Sequence, residues 1–184
     1  MANNANCPAL GNILRGEQCF EHLAGLGNKV YVGIVSDLES PMTATENVYS
    51  GLTFKAGKGL YRIDGKKESQ KYGWSSLGFQ RGYELTGTFV HEVTNAESAV
   101  VDRALNTREC FFIFVDDDQY LILYDPNRTV EADSGGIAGD TGDTADSDRQ
   151  TQYEFKLRSQ KYTRLYVELP QGKTSWDDLL ASAL

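Results

Sequence analysis

Two histidines, three cysteines and a cluster of carboxylates are the side chains here that could do acid–base, nucleophilic or metal chemistry. His91 lies in an alternating run, Tyr83–Val93 (YELTGTFVHEV), on the side shared by Tyr83, Leu85, Gly87, Phe89 and Val93. Its neighbour Glu92 must point the other way, because successive strand side chains alternate. A histidine satisfied in or beside the core is therefore favoured over a general base, and His22 is the only other histidine. Cys7, Cys19 and Cys110 are odd in number and widely spaced, which suits reduced thiols rather than a disulfide framework. The chain has no GxSxG, HExxH, CxxC or P-loop pattern. Gly25-Leu26-Gly27 and Gly57-Lys58-Gly59 are too short to cradle a phosphate and read as turns or strand ends.

The carboxylates gather in one place. Glu131–Asp148 (EADSGGIAGDTGDTADSD) has six acidic residues and four glycines, with Ile137 its only large apolar side chain. Such a composition cannot offset its own ordering entropy by burial, so a local core is not expected. A mobile surface loop, a cation site and a segment that orders against another copy all fit. Asp140, Asp143, Asp146 and Asp148 offer the hard oxygen ligands that calcium takes, but their spacing matches neither the EF-hand order nor a glycine-rich nonapeptide repeat. No pair of carboxylates sits in the aromatic setting that glycoside hydrolysis requires. The segment is expected to be an exposed acidic loop, with Glu131, Asp133, Asp140, Asp143, Asp146 and Asp148 as candidate assembly residues. No catalytic residue, metal site or cofactor is assigned.

The elements that must carry these groups are mostly strands. Lys29–Val35, Leu60–Asp64, Lys66–Ser76, Tyr83–Val93, Cys110–Val115, Tyr120–Tyr124, Thr151–Arg158 and Leu165–Leu169 are rich in β-branched and aromatic residues. Asp64-Gly65 reads as a hairpin turn, and Asp116-Asp117-Asp118 as a tight acidic turn. One helix is expected over about 95–107. Thr94-Asn95-Ala96-Glu97 has capping-box spacing, and Ala96, Val100 and Ala104, beside Val101 and Leu105, form its apolar stripe. Ser175–Leu184 reads as a short C-terminal helix capped by Ser175. Residues 1–14 read as a polar arm, and 36–51 as a long loop or loose hairpin. The sum is a single domain over 1–184, mainly β: an antiparallel β-sandwich or partly closed barrel with one packed helix.

Bulk properties narrow the function classes. The 184 residues carry a net charge of −8, with an isoelectric point near 4.8. That excludes the basic footprint of a protein that grips nucleic acid, although an acidic wall would let a polyanion slide past. No run approaches the roughly 18 apolar residues of a membrane span. The N-terminal MANNANCPALGN lacks the basic and apolar regions of a signal peptide. Trp74 and Trp176, with ten tyrosines, raise the alternative of a carbohydrate- or peptide-binding sandwich, though alternating tyrosines more often pack a sheet.

From Lys67 onward the order of parts resembles the tail tube proteins (major tail proteins) of tailed phages and prophages of gut bacteria. The likeness lies in a charged strand over Lys66–Tyr72, a glycine-containing turn and a long strand over Tyr83–Val93. A short helix from Ala96 to Asn106 follows, then a hairpin over an acidic turn (Cys110–Tyr124), a Ser/Gly/Asp-rich link and a strand over Thr151–Leu157. The opening Cys7…Cys19…Gly27-Asn28-Lys29-Val30-Tyr31-Val32 is similar to the start of the same family. The acidic link is longer than that pattern, and Ser36–Gly51 matches no part of it. The resemblance implies a structural virion protein that is not an enzyme. Its β-sandwich subunits would close into a ring, of six members in that family, in which sheets of neighbours join into an inner barrel. Rings would stack into a tube with an acidic lumen through which DNA leaves without specific binding. It further implies assembly in the host bacterial cytoplasm, contacts with tape-measure and tail-terminator proteins, and no membrane.

Overall fold

The computed structural model describes residues 26–79, 81–92, 95–116, 119–140 and 149–181. The predicted arm over 1–14, with Cys7, Cys19 and His22, lies outside them. The described strands form two sheets. The first contains β1 (Lys29–Ile34), β2 (Thr43–Thr45), β3 (Val48–Ser50), β4 (Tyr61–Asp64), β7 (Cys110–Asp116), β8 (Gln119–Leu123) and β11 (Tyr166–Val167). Its seven strands run in the order β2-β3-β11-β8-β7-β1-β4. The second contains β5 (Lys71–Ser76), β6 (Tyr83–His91), β9 (Glu131–Asp140) and β10 (Gln150–Ser159), in the order β5-β6-β10-β9. The one α-helix among the described residues, α1 (Ala96–Thr107), links β6 to β7. The architecture is thus a β-sandwich with one helix, and neither sheet closes into a barrel.

Sequence pattern dictates the layers. In β10, Thr151, Tyr153, Phe155, Leu157 and Ser159 are buried and the residues between them face out, as period-two alternation requires. In β7 the whole run Cys110–Phe114 is buried, because that strand is central and both its faces are covered. On one face Phe112 stacks on Phe155 at 4.2 Å, and Phe114 meets Tyr72 and Phe89 edge-on. On the other, Phe111 packs edge-on against Tyr124. Its ring fills the space above Gly33, where a Cβ would come within 2.0 Å of it. Tyr72 ties the layers with a polar bond: its hydroxyl donates to the Ile122 carbonyl at 3.1 Å and lies 3.4 Å from the Leu165 amide. Burial pushes the Tyr72 phenol well above its ordinary value.

Several expectations need correction. Asp64-Gly65 does not turn a hairpin. β4 pairs with β1 while β5 belongs to the other sheet, so residues 65–70 cross between layers, held by Gly65 N–H to Asn28 and Lys66 N–H to Val90. Residues 36–51 take the hairpin form, β2 pairing β3 from Thr43↔Ser50 to Thr45↔Val48. The helix is capped one residue later than expected, by Asn95, whose side chain accepts from Ser98 N–H at 2.8 Å while Ser98 Oγ accepts from Asn95 N–H. The helix also faces the core differently from the expected stripe. Ser98 and Leu105 are buried, whereas Val100 is 69% exposed and the expected stripe Ala96–Val100–Ala104 faces mostly outward. Asp102, on the inner side, accepts from the Tyr153 hydroxyl at 2.6 Å.

The C-terminal helix shrinks to one 3-10 turn over Trp176–Leu179, with Ser175 as the expected cap. The chain then extends beside Leu60, taking Leu60 N–H on the Leu179 carbonyl and returning Ala181 N–H to Leu60. Trp176 is buried against Tyr31 and Tyr120. Asp177 anchors the same segment through Lys29 (3.1 Å), Tyr31 (2.9 Å) and Arg62 (3.2 Å). Desolvation raises its pKa, but these three bonds outweigh that and hold the carboxyl below the ordinary range.

Candidate assembly surface

The acidic segment is the largest departure from expectation. Glu131–Asp140 is not a loop but the edge strand β9, paired antiparallel to β10 from Asp140↔Gln150 to Glu131↔Lys156. Asp143, Asp146 and Asp148 lie outside the described residues. Acidic, glycine-rich composition does not preclude a strand here, because an edge strand needs no core of its own. Its inner backbone groups bond to β10 and its outer ones face outward, and Ile137 packs against the common core.

Midway along β9 the register jumps. Ile137 faces Tyr153 and Ala132 faces Phe155, so Asp133-Ser134-Gly135-Gly136 bulges opposite the single residue Glu154. Two outward side chains of β10 hold the bulge. Lys156 Nζ sits 3.2 Å from Asp133 Oδ1, and Gly135 N–H donates to Glu154 Oε2 at 3.2 Å. A Cβ on Gly135 would lie 2.3 Å from that carboxylate and displace it, and Gly136 has φ +56°, a conformation that favours glycine at the bend. The Ser134 amide, then Lys156, hold the Asp133 carboxyl below its ordinary range.

Together the strands of the second sheet present a polar outer face. Lys71 and Ser75 come from β5; Glu84, Thr86 and Thr88 from β6; Gln152, Glu154, Lys156 and Arg158 from β10. The face is not a wall of carboxylates, since Lys156 offsets Asp133 and Arg158 lies 3.5 Å from Glu84. The sheet ends at β5 on one side and β9 on the other, as the first sheet ends at β2 and β4, so among the described residues β5 and β9 present outer edges that no strand pairs. An open groove of about 650 Å³ runs between α1 and β9, lined by Asp102, Arg103, Asn106, Ile137, Asp140 and neighbours.

No known protein family, curated protein or solved structure matches this chain.

Of the candidate residues, Glu131, Asp133 and Asp140 are brought onto one edge strand but not into a ligand cluster. Among the described residues, no group of His, Cys, Asp and Glu is arranged to hold a metal ion, and no helix is long and apolar enough to cross a membrane. His91 is half-buried, its Nδ1 2.8 Å from the Asp64 carbonyl. Cys110 is buried, which pushes its thiol up to about 11, against a downward pull from Arg108. The two tryptophans do not form a platform: Trp176 is in the core, and Trp74, 49% exposed, has the Arg164 guanidinium 4.7 Å above its ring. Sequence reasoning missed Glu154 and Lys156 as partners of the acidic strand. The signal was present in their place on the polar side of an otherwise apolar alternation, opposite a stretch rich in aspartate and glycine.

Proposed function

We propose that this chain is a structural subunit that assembles with copies of itself into rings and tubes, in the manner of the phage tail tube proteins it resembles. The observation that carries this reading is the second sheet, with its polar outer face and two open edges, β5 and β9. Unpaired edges are a liability in a protein meant to stay alone, and a ready means of joining copies in one meant to assemble. Joining β9 of one copy to β5 of the next would continue the sheet around a ring, with its polar face turned to the lumen. That face mixes Lys156 and Arg158 with Asp133 and Glu84, so it has no basic footprint to hold phosphates. A conduit for DNA needs that property. The partners of this reading are other copies, the tape-measure and terminator proteins of a tail, and DNA in transit.

Negative-stain microscopy and sedimentation of the purified chain test it. Rings or tubes, with mass far above the 20.4 kDa of one copy, are expected. A chain that stays monomeric at high concentration contradicts the reading.

A further inference from the structure

We infer that Phe79 is an assembly anchor that docks in an apolar groove between β3, β8 and β11 of a second copy. The inference rests on the assembly reading and adds a contact separate from the sheet edges. Phe79 sits at the tip of the β5–β6 turn with 91% of its surface exposed, the most exposed of the large apolar side chains described. The turn is built rather than loose. Leu77 N–H bonds to Gly82 and Arg81 N–H to Gly78, and Gly78 and Gly82 have φ +114° and +89°. A Cβ on Gly82 would strike the Ser159 carbonyl at 2.4 Å, so the base of the turn is seated against the end of β10. An aromatic ring held out on such a turn gains the burial of its whole face on docking.

The groove that suits it is about 530 Å³ and is lined by Val48, Tyr120, Tyr166, Val167 and Leu169, with Glu168 among them. Its lining is mostly apolar and its exposed charge is negative. Phe79 is followed two residues later by Arg81, also exposed. Neither Arg81 nor Glu168 has an ion pair among the described residues. Anchor and groove therefore match in both polarity and charge, as a buried hot spot with a polar rim does. Phe79 does not fill the groove of its own chain, since its ring is exposed. Tip and groove are different surfaces, so the contact is heterologous and links copies head to tail, closing a ring or extending a filament.

Phe79→Ala, Arg81→Glu, Glu168→Arg and the double charge reversal are compared by sedimentation equilibrium, with circular dichroism to confirm folding. A benzophenone photo-crosslinker at position 79 maps the contact by mass spectrometry. Phe79→Ala should weaken self-association by about 30-fold, as loss of an aromatic hot spot does. Each single charge reversal should weaken it and the double should restore it. Crosslinks should reach residues 119–120 or 166–169 of another chain. Tubes that form with crosslinks elsewhere, or undiminished by Phe79→Ala, overturn this contact and leave the assembly reading standing. The mapped crosslink in species that never grow into rings or tubes supports the contact and overturns the tube. A chain with neither overturns both.

Discussion

At the scale of the residue, the polar groups with defined partners act as ties between segments. Asp177 draws Lys29, Tyr31 and Arg62 to one carboxylate, fastening the C-terminal turn across the edge strand β4 and its neighbour β1. Its folded pKa lies below its unfolded value. The stabilisation is therefore fully present above the unfolded carboxylate value of about 3.9, and is lost as pH falls through the folded value. Asp177→Asn should lower the melting temperature by a few degrees at pH 7, with the difference from the unmodified chain shrinking in acid. A gap that stays constant down to full protonation would show that the carboxylate charge is not what holds the segment. None of this was legible in the sequence. The stretch SWDDLL announces a capped turn, and Ser175 does cap it, but the partners of Asp177 lie 115 to 148 residues away.

At the scale of the element, alternation was readable and placement was not. Tyr83–His91 and Thr151–Arg158 showed their buried faces because each lines one core with every second residue. Glu131–Asp140 showed none, because an edge strand takes its bonds from β10 and needs little apolar surface beyond Ile137. The helix was readable in extent but not in rotation. Of the stripe Ala96, Val100 and Ala104 beside Val101 and Leu105, Leu105 is buried while Val100 and Val101 are exposed, and Ser98 and Asp102 face the core side instead. Asp64-Gly65 has hairpin chemistry but serves a crossing between layers, a choice that only the pairing of β4 with β1 decides. Two changes separate strand from link in the acidic segment. Ile137→Ser should destabilise the fold by about 1–2 kcal/mol, as removal of a partly buried aliphatic group does. Replacing residues 141–148 with a short turn should leave unfolding by denaturant nearly unchanged. The opposite ranking would mean that β9 is not docked as described.

At the scale of the whole molecule, the sandwich has one sheet with apolar residues buried on both faces and one whose outer face is polar. In the seven-stranded sheet, Trp176 of the C-terminal turn is buried against Tyr31 and Tyr120, and Phe111 against Tyr124. Among the described residues the four-stranded sheet has no such cover on its outer face, and its last strands, β5 and β9, lie at opposite margins. That asymmetry, in a chain of net charge −8, is what favours a wall-forming subunit over a binding module built on tryptophans. The fold class was legible from strand spacing and turn chemistry. The division of strands between sheets was not, because it depends on contacts such as Tyr72 with Ile122 that join distant parts of the chain.

Hydrogen exchange measured across a range of protein concentrations tests joining through the sheet edges most directly. Backbone amides on the outer edges of Lys71–Ser76 and Glu131–Asp140 should exchange quickly in dilute solution and become protected together as concentration rises. The inner ladder of β6 and β10 should be slow throughout. Edges that exchange equally fast at every concentration would contradict the account.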